Sequence, residues 1–359
     1  MAARGDPPAA RDGPCKDGRE QGLMDHSKST KKPMTSRELA ALIGVSQSAV
    51  SRAFTPGSSI ARDLRERILM QAREYGYQPN AIASMLTKRR TNIVGIVVSD
   101  MRNPFYPALI EKLTQALQRA GLQSLLFNVT PGAEIEKQLV AIHTYNVDAV
   151  VVIASTMLNS RMLTRITEGR KAVLLNRIGH EDIASVCCDN ALGARLLVDH
   201  LYEAGHRRIG HVAGMTSSGI GMLRYSAFTS RLAELGMRLT RTVSHEAFSY
   251  EAGWDSALDL LADEPDAIFF TSDILALGGI DALRTDPRGA GVGVVGFDDI
   301  PMAAWPNYSL TTYRQPVSAI AETTTRLLTE DGPTTPKLYS LPGELVIRAS
   351  SAPRITGAE

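Results

Sequence analysis

Residues 34–54 read MTSRELAALIGVSQSAVSRAF, and their pattern spells two short helices joined by a tight turn. Leu39, Ala40, Leu42 and Ile43 recur at helical spacing and form one apolar face. Gly44 interrupts that face and supplies the positive φ that an inter-helix turn requires. Ser46 stands where an N-cap is wanted, and Val50, Ala53 and Phe54 give the second helix a buried side. Ala40 is small enough to let the two helices cross closely. What is left outward on the second helix is Gln47, Ser48, Ser51 and Arg52: an amide, two hydroxyls and a guanidinium. Such groups suit the base edges and phosphates of a DNA groove. An ordinary helical hairpin with a solvated polar face is the alternative. It leaves the agreement of turn chemistry, small-residue packing and outward set without a reason.

The chain has 359 residues, enough for two or three compact units. Its formal net charge is only +1, which taken alone argues against nucleic acid. The distribution argues otherwise. Lys28, Lys31, Lys32, Arg37, Arg52, Arg62, Arg65, Arg67, Lys88, Arg89 and Arg90 load the first quarter with positive charge, while the later part is balanced. No apolar run reaches the roughly 18 residues that span a bilayer. Residues 1–22 carry no hydrophobic segment of the signal-peptide kind, which predicts a cytoplasmic protein. Cys15, Cys187 and Cys188 form no disulfide framework, and no cysteine–histidine spacing suggests zinc. Neither a metal nor a cofactor is expected.

Residues 1–33, rich in Gly, Pro and charge, read as a disordered leader. Residues 34–78 read as a three-helix headpiece, the third helix running from Arg62 to Tyr75 with Leu64, Ile68, Leu69 and Ala72 on one side. Residues 79–91 follow as a short helix and linker, with Pro79 at its first position. A plain linker is the alternative. From Asn92 onward, strand and helix alternate. Ile93–Val98 (IVGIVV) has the continuous apolar character of a strand buried on both faces. Further strands are read at QSLLFN, DAVVVIA, AVLLN, RIGHVAG, near 242–248, at DAIFFT and at VGVVGF, with helices between them. The pattern restarts after Asp189-Asn190, which predicts two successive α/β units with parallel sheets and a ligand cleft between them.

With these residues in place, the chain resembles the LacI (lac repressor) family of bacterial transcription regulators over nearly everything after residue 33. The headpiece pattern T-x-x-E-L-A-x-x-x-G-V-S-x-x-x-V-S-R spans Thr35–Arg52, and G-Y-x-P-N-x-x-A-x-x-L spans Gly76–Leu86. The core adds N-P-F-Y at 103–106, D-N-x-x-G-A at 189–194, G-H-R-R-I at 205–209 and F-S-Y-E-A-G at 248–253. V-V-G-F-D-D at 294–299 and S-L-T-T-Y-R-Q-P at 309–316 complete the set. The resemblance implies an α/β, two-lobed, periplasmic-binding-protein-like core behind an all-α helix-turn-helix headpiece and a hinge helix. It divides the core into residues 92–189 plus about 309–333, and 190–308 plus about 334–359.

Carried over by motif, Gln47, Ser48 and Arg52 match base-reading positions, and Ser46, Ser51 and Asn80 match phosphate-facing ones. Leu86 matches the leucine that a dimer inserts into the minor groove, and Ala83 the small residue between paired hinge helices. In the cleft, Arg224 matches an arginine on effector hydroxyls or carboxylates, and Asp298 an acidic residue on the opposite side. Phe248 matches a stacking aromatic and Ser272 a polar contact; Asp100, Phe105, Arg177 and Asp189 are further candidates. For each carboxylate the plain alternative is a helix cap, and for Phe248 a core position. Three positions depart from the family: Ala61 replaces a capping Ser or Thr, Thr55 an Asn, and Ala227 the Gly three residues after the cleft arginine.

The expectation is a ligand-responsive, sequence-specific DNA-binding repressor, controlled by a sugar or sugar derivative. A homodimer on a pseudopalindromic operator follows from two-fold symmetry. The chain ends SAPRITGAE after ELVIRA with no heptad pattern, so a dimer rather than a tetramer is expected. A solute-binding protein of a sugar transporter shares the two-lobed core, but the headpiece speaks against it. An enzyme is not expected, because the histidines show no paired metal spacing and no nucleophile or phosphate-loop motif occurs.

Overall fold

The computed structural model describes residues 34–55, 57–79, 90–99, 101–129, 140, 142–153, 159–167, 169–214, 219–245, 248–332 and 334–352. The chain divides into two compact units, Met1–Ser84 and Met85–Glu359.

In the first unit, α1 (Ser36–Ile43), α2 (Gln47–Ala53) and α3 (Arg62–Glu74) enclose one small core. Leu39, Ala40, Val50, Ala53, Ile68 and Ala72 fill it, and Tyr77 closes it with its ring edge-on to Phe54 at 5.6 Å. Leu42 departs from the expected apolar face and is 54% exposed. Spacing places it one residue off the buried line that Leu39 and Ile43 define.

The second unit holds two six-stranded sheets. The first contains β1 (Ile93–Val98), β2 (Gln123–Asn128), β3 (Ala149–Ile153), β4 (Lys171–Leu175) and β5 (Ala184–Cys188), with α4 (Phe105–Arg119) and α5 (Ser160–Thr167) between them. The second follows α6 (Asn190–Glu203) and contains β6 (Arg208–Ala213), β7 (Arg238–Ser244), β8 (Ala267–Phe270) and β9 (Gly293–Asp298). Its helices are α7 (Gly219–Glu234), α8 (Tyr250–Leu260) and α9 (Asp273–Thr285). β3 and β8 are buried at every residue, which is why both read as unbroken apolar runs. β7 starts earlier than its expected position near 242–248, because RLTRTVS at the sheet edge alternates only weakly.

The last segment differs from expectation. β10 (Thr311–Arg314) lies beside β9 in the second sheet, then α10 (Val317–Thr329) packs on the first lobe. β11 (Leu338–Leu341) returns to pair with β5, and β12 (Glu344–Val346) runs antiparallel on β10. The boundaries drawn at about 309–333 and 334–359 are therefore shifted, and one strand breaks the all-parallel pattern. Buried Tyr313 fixes the first shift: its ring lies 5.1 Å from Phe297 of β9, and its hydroxyl accepts from Gly343 N at 2.7 Å. The chain thus crosses between lobes at 188–190, 314–317 and 341–344.

Candidate functional site

The residues expected to act fall on the headpiece and in the two-lobed unit. α1 opens with a capping box in which Glu38 N donates to Thr35 Oγ1 at 3.2 Å and Thr35 N to Glu38 Oε2 at 2.7 Å. Gly44 ends it at φ 69°, and Ser46 Oγ accepts from Ala49 N at 3.1 Å to start α2. These caps fix the angle at which α2 leaves α1.

With Ala49, Val50 and Ala53 turned into the core, Ser46, Gln47, Ser48, Ser51 and Arg52 are all exposed. Their side chains are lightly held. Gln47 Nε2 donates to Ser36 Oγ at 3.0 Å, and Arg52 Nε to Ser48 O at 3.3 Å. Exposed bonds of this kind contribute about 1 kcal/mol or less, so a phosphate or base edge can replace them. α3 starts at Ala61 with no side-chain cap. Asn80, Ala83 and Leu86 lie outside the described residues.

Between the lobes, Asn103 Nδ2 donates to Ser272 Oγ at 3.3 Å, while its Oδ1 accepts from Phe105 N at 3.0 Å. The lobes also approach at Ile178, where a Cβ on Gly219 would lie 2.4 Å from Ile178 Cγ1. Behind this line sits a buried polar group on the second lobe. Arg224 Nε donates to Asn190 Oδ1 and its Nη1 to Thr271 O, both at 2.7 Å. Its guanidinium carbon rests 3.6 Å above the Phe297 ring, a cation–π contact in a dry setting.

Asp298 Oδ2 accepts from Ser272 Oγ at 2.9 Å and its Oδ1 from Gln315 Nε2 at 2.6 Å. Burial pushes the Asp298 carboxyl above the usual range, and the Arg224 charge draws it partly back. Asp273 is raised too, by burial and then by the Asp298 charge, although Thr312 Oγ1 donates to it at 2.6 Å. Asp298 and Asp299 stand at φ 131° and 56°, conformations that cost non-glycine residues energy. Arg314 and Arg348 hold Asp299 there at 2.5 and 2.7 Å.

Arg224, Ser272 and Asp298 are thus brought together, but on one lobe; Asp298 does not face Arg224 across the cleft. Phe248 is half-buried against Gly214, where a Cβ would lie 2.0 Å from its ring. Phe105 is buried in the core. Asp189 caps α6, its Oδ1 accepting from Leu192 N at 2.9 Å. Arg177 is half-buried in the loop after β4, where burial lowers its pKa. Asp100 lies outside the described residues. Asn103, Asn190, Thr271 and Gln315 were not singled out, although N-P, D-N and Q-P stand in the quoted motifs. Among the described residues no His, Cys, Asp and Glu group could hold a metal, and no helix is long and apolar enough to cross a membrane.

Residues 198–351 match the family described as periplasmic binding protein-like domain. The transcriptional regulator CelR of Thermobifida fusca is 30% identical over 87% of this chain and 96% of its own length. The ribose operon repressor of Halalkalibacterium halodurans is 29% identical over 88% and 97%. Among solved structures, a CelR–cellobiose complex covers 88% of this chain and 99% of its own at 29% identity, with a TM-score of 0.66. The lac repressor dimer bound to operator and the anti-inducer ONPF covers 89% and 100% at 23% identity, with a TM-score of 0.79, a likeness of fold.

Proposed function

The chain belongs to the LacI family of transcription regulators, and on that premise we propose that it is a repressor whose operator binding is set by a small molecule in the interlobe cleft. One observation carries this reading. Two charged groups at the cleft are each bonded to a segment that crosses between the lobes, Arg224 to Asn190 at 188–190 and Asp298 to Gln315 at 314–317. A ligand that engages either group pulls directly on the segments that set the lobe angle. Differential contact of this kind is what coupling between two sites requires.

The effector is a sugar or sugar derivative. Carboxyl, guanidinium and amide groups suit ring hydroxyls and the half-buried Phe248 ring suits an apolar sugar face, and the relatives named for cellobiose and ribose support that class. On the headpiece, Gln47, Ser48 and Arg52 read bases while Ser46, Ser51 and Asn80 meet phosphates. Leu86 wedges the operator centre and Ala83 lets the paired hinges approach. The protein acts in the cytoplasm as a homodimer on a pseudopalindrome, and no catalytic step is assigned to it.

Selection of bound duplexes from a random library should return one pseudopalindromic site. The Arg52→Ala variant should lose about 1–3 kcal/mol on that site and relax discrimination at one base pair. Full selectivity retained by the variant at matched salt would refute the base-reading role. A thermal-shift screen that includes cellobiose and D-ribose identifies the effector.

A further inference from the structure

Arg65 lies near the start of α3 and belongs to the positive charges of the first quarter, yet its guanidinium turns inward to the end of α2. Its Nε donates to Ala53 O at 3.1 Å; its Nη2 donates to Thr55 O, to Arg52 O at 3.4 Å and to Ser58 Oγ at 3.1 Å. Ser58 Oγ donates in turn to Arg52 O at 2.5 Å and Thr55 O at 2.9 Å.

α2 needs such help. It is seven residues long, too short to hold itself together. Its C-cap, Phe54, is right-handed, so no left-handed glycine closes the helix there. The planar guanidinium fork meets several terminal carbonyls at once and places a cation at the negative end of the helix. Arg52, whose own carbonyl is among those held, projects from this last turn.

We propose that Arg65 is a positioning residue for DNA recognition: it clamps the C-terminal end of α2 and so fixes the direction of Arg52, instead of adding a phosphate contact. The role rests on the DNA-reading assignment above.

Full-length Arg65→Lys, which keeps the charge and loses the fork, and Arg65→Ala test it together. Amide exchange at Thr55 and Ser58, whose N–H groups donate to Arg52 O and Thr55 O, should quicken about tenfold or more in both variants. On a labelled mixed-sequence duplex, the salt slope of binding should match wild type in both. Preference for the duplex selected by wild type should fall about tenfold in both. If Arg65→Ala lowers the slope by about 0.9 and Arg65→Lys restores it, Arg65 is a phosphate contact and the proposal fails. Ser58→Ala removes only the bridging hydroxyl and should shift exchange and preference the same way by less. No shift in either overturns the clamp, even if the Arg65 variants fail to fold. A wild-type protein that selects no duplex overturns the DNA-reading assignment, and this role with it; the exchange rates then report the clamp alone.

Discussion

His211 should make the second lobe acid-sensitive by an amount the structure allows to be worked out. It lies in β6 with no exposed surface, its ring stacked on Phe228 at 4.8 Å and flanked by Tyr225 and Phe269, each at 5.5 Å. Nδ1 sits 3.3 Å from Thr242 Oγ1, and among the described residues Nε2 has no hydrogen-bond partner. Burial pushes its pKa from 6.5 down to about 3. The folded value lies below the unfolded one, so the neutral ring contributes fully above about pH 6.5 and loses its contribution as pH falls toward 3. Between about pH 7.5 and pH 5 the unfolded imidazole takes up nearly a full proton and the folded one almost none, which removes about 2 kcal/mol.

Urea unfolding across that range, for wild type and His211→Phe, isolates the effect because every other titrating group is common to both. Both tryptophans, Trp254 and Trp305, report from the lobe that holds His211. The difference in stability between the two proteins should change by about 2 kcal/mol from one end of the range to the other. Curves that stay parallel within a few tenths of a kcal/mol would refute the reasoning.

Two further variants probe the packing around Arg224. Gly193→Ala places a Cβ 2.5 Å from Tyr313 Cδ1 and 2.8 Å from Phe297 Cε2, both on buried rings, so unfolding should become easier by about 1–3 kcal/mol, read from urea midpoints. Asn190→Ala strips the acceptor from a buried guanidinium N–H, and calorimetric unfolding should show a loss of about 1.5–3 kcal/mol. The same variant should bind the sugar found by thermal shift more weakly, since Arg224 is no longer oriented.

How much of this was legible beforehand varied with the length of the pattern. The headpiece turn was readable because Gly44 and Ser46 do locally what their residue types do best, and the cap at Asp189 was readable as the plain alternative to a ligand contact. β1, β3 and β8 were readable because both faces are buried. β10, β11 and β12 have four, four and three residues, too few for any period, and they alternate between sheets. Their placement depends on Tyr313 meeting Phe297 and Gly343, contacts far apart in the chain. The inward turn of Arg65 was not legible for the same reason. Charge says where a guanidinium is, and only the fold says what it faces. The pairing of Arg224 with Asn190, 34 residues apart in sequence, likewise waited for the structure.

Occupancy of the cleft should reset DNA binding by the headpiece. The direct test is the apparent Kd of wild-type protein for its selected duplex, at fixed salt, with and without the sugar that stabilises it thermally. Coupling through the crossovers predicts a change of about fivefold to 150-fold, in one direction or the other. Equal affinity with the cleft saturated and empty would contradict it.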